Sequence, residues 1–222
     1  MPGLRANGHA SRAEGDHVED DLGRASDRRA VRQVIASAAL ENPAVRNSIG
    51  QLGELHSALG SLVNTVLSDT DRVAALHRTG LLDRPPGFAL DKFAALTAEA
   101  LGTPFAAVSL VDQDKQVHVG CNDNGEGSER TRPLEQSICK YAVATGEPLI
   151  VDDTLEHPLL ADSPVVHDGS VRSYAGIPLT DLRGHAVGTL CAWDDQPHHW
   201  TGSQIQILED LTAVMRAKIF AE

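Results

Sequence analysis

The chain has 222 residues, with 31 acidic against 19 basic side chains and a net charge of −12. That length carries one or two domains with a full hydrophobic core. The acidic balance excludes a surface built to hold the nucleic-acid backbone. No stretch of about 18 apolar residues is present, which excludes a membrane-spanning helix. Residues 1–30 hold no apolar signal region, so the cytoplasm is the expected compartment. Three cysteines, Cys121, Cys139 and Cys191, are too few for a disulfide framework. They read as reduced thiols, a redox pair or ligands.

Residues 1–27 are rich in Gly, Asp, Glu, Arg and Ser and are expected to form a disordered tail, because they bury too little to offset ordering entropy. Asp27 reads as the N-cap of a helix whose face is Val31, Val34, Ile35, Ala38 and Ala39. Asn42-Pro43 ends it and Pro43 opens the next helix. There Val45, Ile49, Leu52, His56, Leu59, Val63 and Val66 alternate spacings of 4 and 3, a heptad seam. The seam predicts a homodimer interface at Val45, Ile49, Leu52, Leu59, Val63 and Val66, against the alternative of a helical pair within one chain. A third short helix follows Asp69 and stops at Gly80. Residues 28–86 are thus a helical dimerisation or linker segment, and Pro85-Pro86-Gly87 breaks the chain before a domain at 87–222.

That domain reads as α+β. A helix runs to Leu101 and stops at Gly102. Phe105–Asp112 and Gln116–Cys121 pair as strands, and Asn122–Arg130 is a polar loop. Gln136–Thr145 is a short helix, and Pro148–Val151 a short strand. Residues 152–169 form a long loop with room for a helical turn. Arg172–Leu179 and Ala186–Trp193 make a hairpin, and Thr201 caps a last helix to about Phe220.

The element order and several motifs resemble the GAF domain family. SICKYAVATGEPLIVDD (137–153), HPLLADSPVV (157–166) and YAGIPLTDLRGHAVGTLCAWD (174–194) carry the likeness, and DTDRVAALHRTGLLDRPP (69–86) is similar to a lead-in helix of one GAF subtype. The resemblance implies a PAS-related central antiparallel sheet flanked by helices, and a ligand pocket on one face. The positions it places around that pocket are His118, Cys121, Ile138, Cys139, Asp152, Asp153, His157, Leu160, Val165, His167, Tyr174 and Cys191.

A fold that hosts many jobs leaves the chemistry to the site. One GAF family reduces free methionine-R-sulfoxide with cysteines, but the three thiols here do not stand at its spacing. Cys121 and Cys139 are the expected pair if the protein is a thiol redox sensor, since Cys121 adjoins a polar loop. His118-x-x-Cys121, Cys139, His157 and His167 are zinc-type ligands at a spacing that matches no closed site. Haem-binding relatives carry a histidine shortly before the strand that holds Tyr174, which makes His167 a candidate axial ligand. The N-K-x-F-x-D-E constellation of cyclic-nucleotide binders is absent, and no cysteine lies at 152–173 for a bilin. His198-His199-Trp200 reads as a surface loop with an anchoring Trp. No effector motif is present. The expected role is a cytoplasmic sensor, non-enzymatic and homodimeric. It would bind an unidentified small molecule and signal through the helices at 28–79 and 201–220 to a downstream protein.

Overall fold

The computed structural model describes residues 25–35, 49–85, 87–122 and 130–221. Seven helices and six strands follow in chain order among them. They are α1 (25–35), α2 (Ile49–Leu67), α3 (Thr70–Arg78), α4 (Phe88–Leu101), β1 (Phe105–Val111) and β2 (Lys115–Cys121). A three-residue strand β3 (Thr131–Pro133) and a 3-10 turn at Leu134–Gln136 precede α5 (Cys139–Thr145) and β4 (Leu149–Val151). Then come α6 (Pro164–His167), β5 (Ser173–Thr180), β6 (Ala186–Asp194) and α7 (Gly202–Ile219). The strands form one sheet in the order β3-β2-β1-β6-β5-β4, with every neighbouring pair antiparallel. Among the described residues no helix is long and apolar enough to cross a membrane.

Alternation along the central strands sends side chains to two cores. Ala106, Val108 and Leu110 of β1 face Leu190 and Ala192 of β6, and α3, α4 and α7 cover them with Leu76, Ala98, Leu101, Leu208 and Met215. Ala107, Val111, Cys191 and Tyr174 face the other way, under α1, α2, α5 and the 152–172 segment. The closest approach inside the sheet is at Gly188, where a Cβ would overlap the carbonyl of Ser109 on β1.

Two irregularities decide which residues share a face. Between Val108 and Ser109 the β1–β2 register slips, so that Gly120 pairs with Val108 but His118 with Ser109. Val119 is the extra residue of this bulge. His118 and Cys121 are an odd number apart and would otherwise point to opposite faces. The bulge leaves Cys121 in the core that holds Cys139 and Cys191.

The C-terminal half of the heptad seam is buried within the chain, as in the alternative of an intrachain helical packing. Leu59, Val63 and Val66 are 1%, 2% and 5% exposed within a single chain. They belong to the same core as Val31 of α1 and Val143 of α5. These three positions are therefore not a free dimer interface, because the domain's own helices already bury the stripe. Val45 lies outside the described residues, as do the side chains of Ile49 and Leu52. Asp27 is likewise not an N-cap, since the helical residues begin before it. Long-range contacts seat α1 instead. Arg28 Nη1 donates to the Gly184 carbonyl at 2.7 Å, and Arg32 Nε to the Thr145 carbonyl at 3.0 Å.

The capping predicted for the later helices is present. Asp69 accepts the Arg72 amide at 2.8 Å, and Thr201 with Gln204 forms a full capping box. The expected helix at 136–145 is shorter, split into the 3-10 turn and α5. β3 was not foreseen, because three residues, Thr131-Arg132-Pro133, carry no readable alternation.

Candidate functional site: a cleft over a buried dithiol

Side chains from five strands, α5 and α6 converge at one edge of the sheet. β2 presents Gln116, His118 and Cys121, β6 presents Cys191 and Trp193, and β5 presents Tyr174. Phe105 opens β1, while Arg130 and Arg132 come from the start of the β3 segment. Of these, Phe105, His118, Cys121, Arg130, Arg132 and Trp193 bound an outer cleft of about 280 Å³, closed by Asp168, Gly169, Ser170 and Asp195. Beneath it lies an inner chamber of about 30 Å³ bounded by Gln116, Ile138, Cys139, Val165, Tyr174 and Cys191. His118, Arg132 and Trp193 border both spaces. A wider groove of about 690 Å³ runs between the α3–α4 connection, β2 and the end of α7. Its charged lining includes Arg78, Arg84 and Lys218, all exposed. The cleft reaches buried polar atoms, which is the better mark of a specific site.

The mouth is aromatic and carries charges of both signs, Arg130 and Arg132 with Asp168 and Asp195. Phe105 stacks on Trp193 with ring centroids 5.5 Å apart, and His118 tilts against the same indole at 5.9 Å. Arg130 grips Asp91 of α4 through two bonds of 2.8 and 3.2 Å, and Asp91 also accepts the Cys121 amide at 3.0 Å. Burial would raise the Asp91 pKa, but the Arg130 and Cys121 bonds outweigh it and hold it below the ordinary carboxylate range. The Arg132 side chain is half-buried and makes no hydrogen bond or ion pair among the described residues, its charge acting on Asp168 at a distance. Burial, with the charges of Arg132 and Arg130 nearby, pushes His118 down to about 4, so its imidazole is neutral at pH 7. The neutral ring accepts a bond from the Gln116 amide nitrogen, 2.6 Å from Nε2.

Below the mouth the polar groups outnumber their partners. Tyr174 Oη donates to Cys139 Sγ at 3.2 Å, and the sulfurs of Cys139 and Cys191 stand 3.9 Å apart. Gln116 Oε1 is buried and meets no hydrogen-bond partner among the described residues, while the buried hydroxyls of Ser109 and Thr189 have only the Cys139 sulfur to turn to. Such orphaned groups cost free energy unless something satisfies them. The two thiols share one ionisation. The Cys191 thiol first, then the hydroxyls of Thr189, Tyr174 and Ser109, favour charge on Cys139 against the penalty of burial, and the bond to Cys139 with burial drives Cys191 upward. Gly176, two residues beyond Tyr174 on β5, leaves the space in which the tyrosine ring lies.

Seven of the expected positions meet here: His118, Cys121, Ile138, Cys139, Val165, Tyr174 and Cys191. Five do not. Leu160 is packed in the core on that side of the sheet. Asp152 faces the segment before α7, accepting from His199 Nδ1 at 2.7 Å and the Trp200 amide at 3.2 Å. Asp153 binds Arg172 through two bonds of 2.6 and 2.7 Å and ties off the base of the long loop. His157 accepts the Leu159 amide inside that loop at 3.3 Å. His167 is exposed and faces Asp162 at 3.9 Å. A haem therefore finds no fit: the chamber has about a tenth of the volume of a usual ligand pocket, and His167 does not line it. Trp200 is the anchor that the sequence suggested, buried with Nε1 donating to the Val151 carbonyl at 3.1 Å. The expected redox pair is also reassigned. Cys139 neighbours Cys191, while Cys121 lines the outer cleft.

Sequence reasoning missed Gln116, Arg130, Arg132, Trp193, Ser109 and Thr189. Ser109 and Thr189 carried a signal, as lone hydroxyls in otherwise apolar central strands. The arginines carried none, because β3 itself was not legible.

Comparison with known proteins places this geometry. The family model of the GAF domain matches residues 87–218. A cyclic di-GMP phosphodiesterase of Pseudomonas aeruginosa is 27% identical over 153 residues, covering 67% of this chain but only 25% of that protein. Among solved structures, the free methionine-R-sulfoxide reductase from Neisseria meningitidis in complex with its substrate is similar at 23% identity. The match covers 75% of this chain and 89% of that one, with a TM-score of 0.46. The GAF domain of an Acinetobacter phosphoenolpyruvate-protein phosphotransferase is 16% identical over 68% of this chain and 93% of its own, with a TM-score of 0.49. The motif-bearing strands, the six-stranded antiparallel sheet between helical layers and the match over residues 87–218 show that this chain belongs to the GAF domain family.

Proposed function

We propose that this chain is a non-enzymatic, signal-sensing regulatory module that captures a small anionic molecule in the cleft of His118, Arg132 and Trp193. One observation carries the reading: among the described residues the Arg132 guanidinium makes no hydrogen bond or ion pair, and it borders the same space as the buried Gln116 Oε1, which has no hydrogen-bond partner either. A ligand with a carboxylate or phosphate head would pair with Arg132. Its body would lie against the Phe105–Trp193 stack. Similarity to a quarter of a cyclic di-GMP phosphodiesterase supports a regulatory setting. Three buried cysteines that form no disulfide among the described residues suit a reducing compartment such as the cytoplasm.

Transmission follows from the packing. α5 carries one wall of the chamber on its first residue and packs on β6 and on α2. A ligand that prefers one placement of α5 biases α2 by its difference in affinity for the two placements. The recipient in this reading is a downstream signalling protein or a second copy of the chain, reached through the helices.

The test is a thermal-shift screen of the full chain against small carboxylates, inorganic phosphate and nucleotides. At least one anion should raise Tm, as expected for a ligand at about 100 times its Kd, worth about 2.7 kcal/mol. Arg132→Gln should lose that shift while keeping its own Tm. If no anion acts, or Arg132→Gln responds like the parent, capture at this cleft is wrong.

A further inference from the structure

Cys139 and Cys191 sit on different elements, α5 and β6, and are 52 residues apart in sequence. Their sulfurs are 3.9 Å apart. A disulfide needs about 2.05 Å, so closure takes a movement of about 1.9 Å, within reach of side-chain rotation and a small slide of α5. Both sulfurs border the inner chamber, whose volume of about 30 Å³ matches one water or a molecule little larger. Tyr174 Oη donates to Cys139 at 3.2 Å, and the net effect of the surroundings lowers the Cys139 pKa and raises that of Cys191. That difference distinguishes an attacking sulfur from a resolving one.

We propose that Cys139 and Cys191 form a reversible oxidation site, at which hydrogen peroxide entering through the cleft converts the two thiols into a disulfide that ties α5 to β6. In the first step the Cys139 thiolate attacks one peroxide oxygen. The S–O bond forms as the O–O bond breaks, the sulfur gives up two electrons, and the departing hydroxide takes the proton that Cys139 released. In the second step the Cys191 sulfur attacks the sulfenic sulfur of Cys139. The S–S bond forms as the S–O bond breaks, and the leaving hydroxide takes the Cys191 proton. Two thiols and one peroxide thus give one disulfide and two waters, and a dithiol reductant reverses the change. Both thiols are buried, so a small oxidant reaches them more readily than glutathione disulfide does. Cys121 stands outside the chamber, in the outer cleft. This inference is independent of anion capture at Arg132.

The experiment exposes the full-length reduced chain to hydrogen peroxide, or in parallel to glutathione disulfide, followed by intact-mass analysis and peptide mapping without reduction. Peroxide should lower the mass by about 2 Da and yield a Cys139–Cys191 linked peptide, in the parent and in Cys121→Ser alike. In Cys191→Ser the mass should rise instead by about 16 to 32 Da, located on Cys139, as the sulfenic acid finds no resolving thiol. Tyr174→Phe should slow the reaction at least roughly tenfold with an unchanged circular dichroism spectrum. A linked peptide that contains Cys121 overturns the proposal. So does oxidation that waits for unfolding in urea, or glutathione disulfide acting as fast as peroxide.

Discussion

The guanidinium of Arg72 on α3 donates to the carbonyl oxygen of Val111, the last residue of β1, across 2.8 Å. Its other nitrogens hold the Leu67 carbonyl at the end of α2. The side chain is fully buried. Burial lowers its pKa to about 10, with Asp112 and Asp69 opposing the shift, so it remains charged at neutral pH. One cation thereby fastens the lead-in helices to the sheet. Arg72→Met should cost about 3 kcal/mol, since two buried carbonyls lose their donor and only packing is retained. The urea midpoint of the variant checks this, and an unchanged midpoint would show that α2 and α3 are held by apolar contact alone.

Gly188 allows β6 to pass β1 at Ser109. Gly188→Ala forces a methyl into the Ser109 carbonyl, and backbone cannot yield as a side-chain tip does. The expected loss is about 3 kcal/mol or more. A drop of several degrees in Tm is the readout, with Gly202→Ala, where a Cβ meets nothing, as the neutral control.

Gly176 acts on the site more than on the fold. A Cβ there meets the end of the Tyr174 ring, a side chain that can swing away. Gly176→Ala should therefore break the bond from Tyr174 to Cys139. Reaction of Cys139 with a small alkylating reagent should change at least about threefold, beyond what circular dichroism or Tm would suggest.

His118 makes stability depend on pH. Its folded pKa of about 4 lies below the ordinary value of 6.5. Between those values the unfolded chain binds the extra proton and the folded chain does not, so stability falls as pH drops from 6.5 to 4. At pH 5 this one group costs about 2 kcal/mol relative to pH 7. His157, also lowered by burial, acts in the same direction. Urea denaturation at pH 7 and pH 5 should show the loss, and His118→Gln should remove most of it. The carboxylates held low, Asp91 and Asp181 among them, contribute above their unfolded pKa and lose that stability only at more acidic pH.

Local signals in the sequence settled the elements and the family. Asp69, Gly102 and Thr201 mark helix ends by chemistry that acts within one turn, and the near-continuous apolar runs at 105–111 and 186–194 fit strands buried on both faces. Cys139, Tyr174 and Cys191 were legible as site residues because their motifs travel with the fold.

Tertiary structure alone decided which of them meet. The bulge at Val119 is a matter of register between strands, and it moves Cys121 to the dithiol face without any mark in its own neighbourhood. The heptad of α2 states that a stripe must be buried but not by what, and the answer, α1 and α5 of the same chain, rests on contacts far apart in sequence. Asp152 and Asp153 end a motif strand that points at the pocket, yet their partners, His199 and Arg172, lie 47 and 19 residues further on and draw both carboxylates away. Periodicity reports that a face exists. Only packing selects its neighbour.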